Sequence, residues 1–442
     1  MSEDSDKPAV DQGGISRRSL LNSLALLPLA GSVGAVSGRA VEEAVLRKPA
    51  GSKPHIAVIG AGAFGGWTAL HLVRQGAEVT LFDTWGPGNS RSSSGGDTRV
   101  IRSLYGGDRI YVELVRRSFE LWRQSGQQWG QKLYHRIGAL WMFGDDDDYA
   151  AASIPLVTAA GLRVDKLSGD EASQRFSQVN FDGVESVYYE HEAGYLSARR
   201  ACRVVVDGFI TEGGTYRQRT VRPGRRQSGA LSGIVLSDGS SLSADQYVFA
   251  CGPWLGRLFP EAIGSRIHST RQETFYFGTP PGQLQFSENR LPVWVDFTGA
   301  VFYGIPGAEG RGFKVADDTR GAAFDPTAGD RTPTDAGIET ARRFLARRFP
   351  GMEGAPLLEA RVCQYENSPD GHFIVDRHPE AANVWLVGGG SGHGFKLSPA
   401  LGESVAQAVL GRSTIDPFFS LKRLADPNSL GTQFQTGKKP GR

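Results

Sequence analysis

The chain has 442 residues, 40% of them hydrophobic and 22% charged, a balance that excludes a disordered chain and a polytopic membrane protein and leaves room for two domains or one large α/β body. Forty-nine basic residues against 47 acidic ones give a formal net charge of +2, so there is no broad positive field to hold nucleic acid or an anionic membrane. Three cysteines, Cys202, Cys251 and Cys363, are too few for a disulfide framework or a Cys-rich metal site, while 58 glycines, about twice the average usage, point to many tight turns and close ligand approaches.

Ser16-Arg17-Arg18-Ser19-Leu20-Leu21 opens an apolar run that reaches about Ala35. It resembles a twin-arginine export signal. Asn22, Ser23 and Gly31 dilute the run, which falls short of the about 20 residues of a stable membrane span. Residues 1–40 are therefore expected to be an address read by the twin-arginine export machinery, cleaved near Ala35-Val36-Ser37 or Gly38-Arg39-Ala40. The mature protein would be periplasmic or otherwise exported; the alternative is a cytoplasmic protein with an N-terminal arm.

His55-Ile56-Ala57-Val58-Ile59 reads as a buried strand and runs into Gly60-Ala61-Gly62-Ala63-Phe64-Gly65. Helical spacing follows from Trp67 to a glycine stop at Gly76. A second strand, Glu78 to Phe82, ends at Asp83. This order is that of a dinucleotide-binding unit. Gly60 allows the tight turn, Gly62 a close approach of pyrophosphate, and Gly65 close packing of helix on strand, while the helix N-terminus offers free N–H groups to the phosphates. Asp83 is placed to accept from ribose hydroxyls, and its charge disfavours a 2′-phosphate. The next stretch, Gly88 to Gly106, is polar, glycine-rich and basic where a nicotinamide-binding domain would continue into another βα unit. Backbone donors and arginines there suit a flavin and an anionic ligand; a solvated loop is the other reading.

Further along, Ala198 to Val206 has helical character around Cys202. Gly233 to Leu242 is a hairpin by its Asp238-Gly239 turn, and Tyr247 to Trp254 is a strand closing on glycine. Arg271 to Phe277, Pro292 to Phe297 and Ala300 to Tyr303 read as strands. Val384-Trp385-Leu386-Val387 is a buried strand entering Gly388-Gly389-Gly390-Ser391-Gly392-His393-Gly394, and Ser398 to Leu410 reads as the helix after it. This second strand, glycine loop and helix can turn backbone N–H groups toward an electron-rich ligand. His393 is read as a loop residue, not as a general base. His372 and His378 near Asp370 and Asp376 lack the helical spacing of a metal pair. No tandem repeat is apparent, and the tail from Asp426 to Arg442 is expected to be flexible.

Four separated segments, in order, resemble the FAD-dependent amine oxidases grouped with monomeric sarcosine oxidase, N-methyltryptophan oxidase and pipecolate oxidase. They are the Gly60 cradle with Asp83, Gly96-Asp97-Thr98-Arg99-Val100-Ile101-Arg102, Phe313-Lys314, and Cys363-Gln364-Tyr365 with Gly390-Ser391-Gly392-His393-Gly394-Phe395-Lys396. The resemblance implies FAD, tethered as a thioether through Cys363, with Cys202 and Cys251 left as inert thiols. It implies that Arg102 and Lys396 hold a substrate carboxylate, Arg99 lies by the flavin ring beside Thr98, and Lys314 activates oxygen. It places Tyr365, Gly392 and Gly394 at the same site. Two departures stand out: Asp318 lies where the sarcosine enzyme has a histidine four residues after the lysine, and Ser94 and Gly95 precede the Gly-Asp-Thr-Arg block in place of histidines. Asp318 would favour a cationic amine or a polar side chain, or pair with Lys314.

The expected fold is α/β: a Rossmann-like FAD-binding domain assembled from residues 55–105, 195–265 and 360–415, and a mixed-sheet substrate domain from 106–194 and 266–359, with the tail at 426–442. The expected activity is oxidation of a secondary amine or small amino acid to an imine, with oxygen reduced to hydrogen peroxide. Two alternatives stand beside it: an FAD-dependent dehydrogenase feeding a quinone or carrier, and a flavoprotein without turnover.

Overall fold

His55–Ile59 is buried on both faces, as a strand covered by helices on each side must be, and it sits inside a six-stranded sheet. The structure, a computed structural model, describes residues 53–425; the expected export signal at 1–40 and the tail at 426–442 lie outside the described residues. In this sheet the strands run Ile374–His378, Ala381–Gly388, Gln246–Phe249, His55–Ile59, Glu78–Asp83 and Thr215–Gln218. Neighbours pair in parallel except at the Ile374–His378 edge. The helix Ala63–Arg74 has every residue from Phe64 to Leu72 buried, because it is packed between the Ala198–Thr211 and Ser398–Val409 helices. A helix that is apolar all round belongs inside. Its contact with Ser398–Val409 is so close that a Cβ at Gly402 would lie 2.8 Å from the Trp67 side chain.

An eight-stranded mixed sheet takes its strands in the order Leu357–Asn367, His268–Phe277, Phe313–Asp317, Phe302–Ile305, Val293–Phe297, Ala139–Phe143, Ser186–Glu190 and Val164–Leu167. It is antiparallel apart from the join of Val293–Phe297 to Ala139–Phe143. The three strands read from the sequence in this region are here, with the third displaced from Ala300–Tyr303 to Phe302–Ile305. The helix Asp335–Arg348 is fixed to this sheet by a buried ion pair, Arg348 Nε to Asp296 Oδ2 at 2.7 Å. A third, three-stranded sheet joins Thr98–Ile101 to Gly194–Ser197 and Tyr134–Arg136. One continuous apolar core runs from Ile56 and Val58 of the first sheet to Trp141 and Val293 of the second. The long Leu357–Asn367 strand carries its C-terminal end to the glycine turn after Ala381–Gly388, where the Ser391 N–H donates to the Glu366 carbonyl at 3.0 Å.

The first glycine turn shows why the sequence needs glycine there. Gly60 has φ of +105°, and a Cβ on Gly65 would lie 1.9 Å from the Gly60 carbonyl oxygen. Gly65→Ala is expected to push the helix off the strand at about 1–3 kcal/mol, as overpacking does. Thermal unfolding should show the lower midpoint, and purified protein should carry less flavin. A variant with unchanged midpoint and full yellow colour would contradict this packing.

Candidate functional site

A cavity of about 480 Å³ opens along the C-terminal ends of the parallel strands, the usual position for a ligand in such a sheet. At one end, the first turn of Ala63–Arg74 has no acidic residue and no side-chain cap. Beyond the Ala63 N–H, its first-turn N–H groups and positive dipole therefore face whatever lies before it. The Ala63 N–H reaches Ser94 Oγ at 3.1 Å, and Gly62 faces the cavity, with Ser94 Oγ 3.5 Å from where its Cβ would be. Asp83 closes the second strand. Its Oδ2 accepts from the Ala61 N–H at 2.9 Å, and its Oδ1 from the N–H groups of Trp85 and Gly86 at 2.9 and 2.8 Å. Burial raises its carboxyl while these three donors oppose the rise.

The remaining wall comes from segments distant in the chain. Arg99, Tyr365, Glu366, Gly390, Gly392, Gly394 and Phe395 all line the cavity. Gly392 has φ of +81°, and a Cβ there would meet the Tyr365 ring at 2.8 Å; one on Gly394 would meet the Phe64 ring at 2.5 Å. These two positions are glycine because loop and aromatic rings touch. Arg99 is held by two carbonyls, Thr98 at 2.9 Å and Ser93 at 2.7 Å. Two buried polar atoms of this lining have no hydrogen-bond partner among the described residues: Ser93 Oγ and Glu366 Oε2. Such atoms carry a desolvation cost that a polar occupant relieves. The long cavity, free helix N–H groups, glycine cradle and unsatisfied polar wall fit FAD, for which Gly60, Gly62, Gly65, Asp83, Ser93, Arg99 and the Gly390–Gly394 turn would be the holding groups.

A smaller compartment of about 60 Å³ adjoins it, sharing Arg99, Tyr365, Gly392 and Phe395 with the large cavity and adding Arg102, Asp318, Tyr303 and Lys396. Arg102 and Lys396 stand over one ring. The Arg102 guanidinium lies 4.5 Å and Lys396 Nζ 5.5 Å from the centre of Tyr105. Trp141 supports the guanidinium from another side at 5.2 Å, and Arg102 Nη1 donates to Tyr149 Oη at 3.2 Å. Lys396 Nζ donates to the His393 carbonyl at 3.0 Å, and Trp122 pins the Lys396 carbonyl at 3.0 Å. Burial first, and then the Arg102 charge, hold the Lys396 ammonium well below the usual lysine range. Asp318 is the carboxylate among the lining residues. It accepts from Tyr365 Oη at 2.7 Å; burial raises its carboxyl, against the Tyr365 hydrogen bond and the charges of Arg102, Arg320 and Lys396. Tyr303 Oη lies 3.5 Å from Tyr365 Oη.

Arg99, Arg102, Tyr365 and Lys396 thus meet at one place, and Gly62, Asp83, Gly392 and Gly394 line the large cavity beside them. Lys314 and Thr98 are buried outside the two linings, and Cys363 is half-buried beside Arg99. Lys314 Nζ donates to the Thr98 carbonyl at 3.3 Å; burial and the Arg99 charge push it down to about 7. Cys363 Sγ is 3.7 Å from Arg99 Nη2. His393 stacks on Phe373 at 4.6 Å, and its Nε2 meets the Gly371 carbonyl at 3.0 Å. Burial holds its imidazole well below the usual range, which suits a loop-fixing residue. Tyr105, Tyr303 and Glu366 carry no distinguishing motif in the sequence. The signal that could have found Glu366 is polar alternation on a buried strand face, since Val362, Gln364 and Glu366 are all buried.

The family model for FAD dependent oxidoreductases matches residues 55–408. The chain is 30% identical over 384 residues to the monomeric sarcosine oxidase of a Bacillus species, covering 85% of this chain and 97% of the relative. It is 28% identical over 358 residues to N-methyl-L-tryptophan oxidase of Yersinia pestis, covering 79% and 93%. Among solved structures, L-proline dehydrogenase from P. horikoshii superposes with a TM-score of 0.74 at 20% identity, covering 85% of this chain and 98% of that one, which shows a shared fold.

The depressed Lys396 ammonium has a measurable consequence. A carboxylate entering the compartment stabilises the charged lysine, so binding should take up protons in the pH range where the free protein's ammonium titrates. Calorimetric titration of the holoprotein with a small carboxylate in buffers of different ionisation enthalpy should show this uptake, and Lys396→Met should abolish it. Equal heats in all buffers would contradict the coupling.

Proposed function

The chain belongs to the FAD dependent oxidoreductase family, and on that premise we propose that it oxidises a secondary amine or small amino acid carrying a carboxylate, in the manner of its sarcosine-oxidising relatives. The observation that carries this reading is the convergence of Arg102 and Lys396 on the Tyr105 ring, in a compartment that opens onto the cofactor cavity. The planar guanidinium grips a carboxylate bidentately and the ammonium adds a point charge. The substrate's amine and the carbon beside it are then directed at Arg99, Tyr365 and the larger cavity. FAD, when bound, supplies the two-electron acceptor for the hydride and returns the pair to oxygen as hydrogen peroxide.

The protein's own part is binding and field. Arg99 and Arg102 lower the pKa of a nearby amine and so favour its neutral, oxidisable form. The amine leaves as an imine that water hydrolyses. Lys314, one layer behind Arg99, is assigned to the oxygen step, where positive charge stabilises developing superoxide. Asp318 lines the same compartment as Arg102 and Lys396, whose charges act on it. Its carboxyl favours substrates whose nitrogen substituent or side chain offers hydrogen-bond donors over sarcosine itself. Cys363 is the proposed thioether tether. Export through a twin-arginine signal at 1–40 accords with a tether, since a folded protein carried outside the cytoplasm would keep its flavin. Among the described residues no helix is long and apolar enough to cross a membrane.

An anaerobic screen of N-methyl, cyclic and primary amino acids against the purified holoprotein tests the reading. At least one acid-bearing amine should bleach the flavin, and admitting air should restore the colour with uptake of about one oxygen per amine. Bleaching without oxygen uptake would point to a dehydrogenase, and no bleaching by any amine would overturn the proposal. In acid-precipitated protein the yellow colour should stay in the pellet; colour wholly in the supernatant would remove the Cys363 tether.

A further inference from the structure

Glu366 follows Cys363 and Tyr365 on one strand, yet nothing in the amine chemistry calls for it. It is 7% exposed and lines the large cavity, its carboxyl wedged between two turns. Oε1 accepts from the Gly390 N–H at 3.1 Å. A Cβ on Gly252 would sit 2.6 Å from Oε2, and one on Gly390 would sit 2.9 Å from Oε1. Oε2 itself has no hydrogen-bond partner among the described residues. A buried carboxylate in that state is costly, and either a proton or an outside donor must relieve it.

The surroundings favour the proton. Burial pushes the Glu366 carboxyl up to about 7, with the Gly390 N–H opposing. The titratable group facing it from the turn after Gln246–Phe249 is the Cys251 thiol, which burial, then Asp83, then Glu366 push up. The charged groups lining the same cavity are Asp83, Arg99, Arg219 and Arg222. A cavity that offers helix N–H groups to a diphosphate, with Phe64 of that helix's first turn beside the Gly390 turn, is a poor place for a second anion. A carboxylic acid there keeps the wall neutral and turns its O–H into a donor.

We propose that Glu366 acts as a carboxylic-acid donor to an oxygen of the diphosphate–ribityl linker of FAD, and that the protein grips the cofactor tightly only while this carboxyl keeps its proton. The role rests on the FAD assignment and not on which amine is oxidised. It makes Glu366 a positioning residue whose ionisation would set anion against anion and loosen the cofactor.

The test uses full-length protein carrying Cys363→Ser so that FAD exchanges, stripped of flavin and titrated with FAD from about pH 6 to pH 9 by flavin fluorescence. In this parent the affinity should fall about tenfold per pH unit above the carboxyl midpoint, whereas Glu366→Gln, which keeps a donor and cannot ionise, should bind tightly with little pH dependence. An affinity that stays flat with pH in the parent overturns the proposal whether or not the variant folds, and so does an equal fall in the glutamine variant. Stripped protein that takes up no FAD at any pH fails the cofactor assignment itself, and this role with it. A second readout needs no exchange: the infrared difference between holoprotein and its Glu366→Gln form should contain a protonated carboxyl C=O stretch, and a carboxylate band alone would refute the donor.

Discussion

Everything at this site follows from the cost of burying two cations against each other. Arg102 and Lys396 are 4% and 5% exposed and share the Tyr105 ring. Charges removed from water are tolerated only when other groups replace the lost hydration. The protein supplies part of that replacement through aromatic faces, the Tyr149 hydroxyl and the His393 carbonyl. Glu190 lies close enough for its charge to act on both cations. Its oxygens are themselves occupied by Ser103 and the Trp141 N–H, so it tempers the field without filling the compartment. On the proposed reading, the carboxylate of the substrate completes the balance.

Such a compartment can exist because two architectures share one core. The parallel sheet brings its glycine turns and a bare helix N-terminus to one edge, which suits a dinucleotide. The mixed sheet contributes long strands that bring Lys314, Asp318 and Tyr365 toward that edge. Thr98–Ile101 belongs to neither sheet; it pairs with Gly194–Ser197 and so carries Arg99 and Arg102 between the two. The junction is tightened by glycines at which a Cβ would strike an aromatic ring, Gly392 on Tyr365 and Gly394 on Phe64. The large cavity and the smaller compartment are consequently adjoining rooms with common walls.

The local parts of this arrangement are legible in the sequence, because short-range patterns determine them. The His55–Ile59 strand, its glycine turn and the acid ending the next strand follow from spacing alone. The helix after them begins at Ala63, before Trp67 where helical spacing is read from the sequence, since Ala63, Phe64 and Gly65 read as part of the glycine cradle. Arg102 and Lys396 are far apart in the chain. No periodicity joins them, and their pairing was visible only through resemblance to a family. Tyr105, the ring that unites them, sits in a polar stretch that reads as a loop. Glu366 stayed hidden because which face of its strand is buried depends on the partner sheet. Asp318 stood out in the sequence as a departure, and the structure places it in the lining of the compartment that holds the two cations.

The most direct test of the central claim is a spectral titration of the oxidised holoprotein with small carboxylates that lack an amine. A saturable perturbation of the flavin absorption is expected, with affinity reduced at least about tenfold in Arg102→Met, in line with the loss of a charged hydrogen bond. Carboxylates that leave the spectrum untouched, or that bind the variant and the parent equally well, would contradict it.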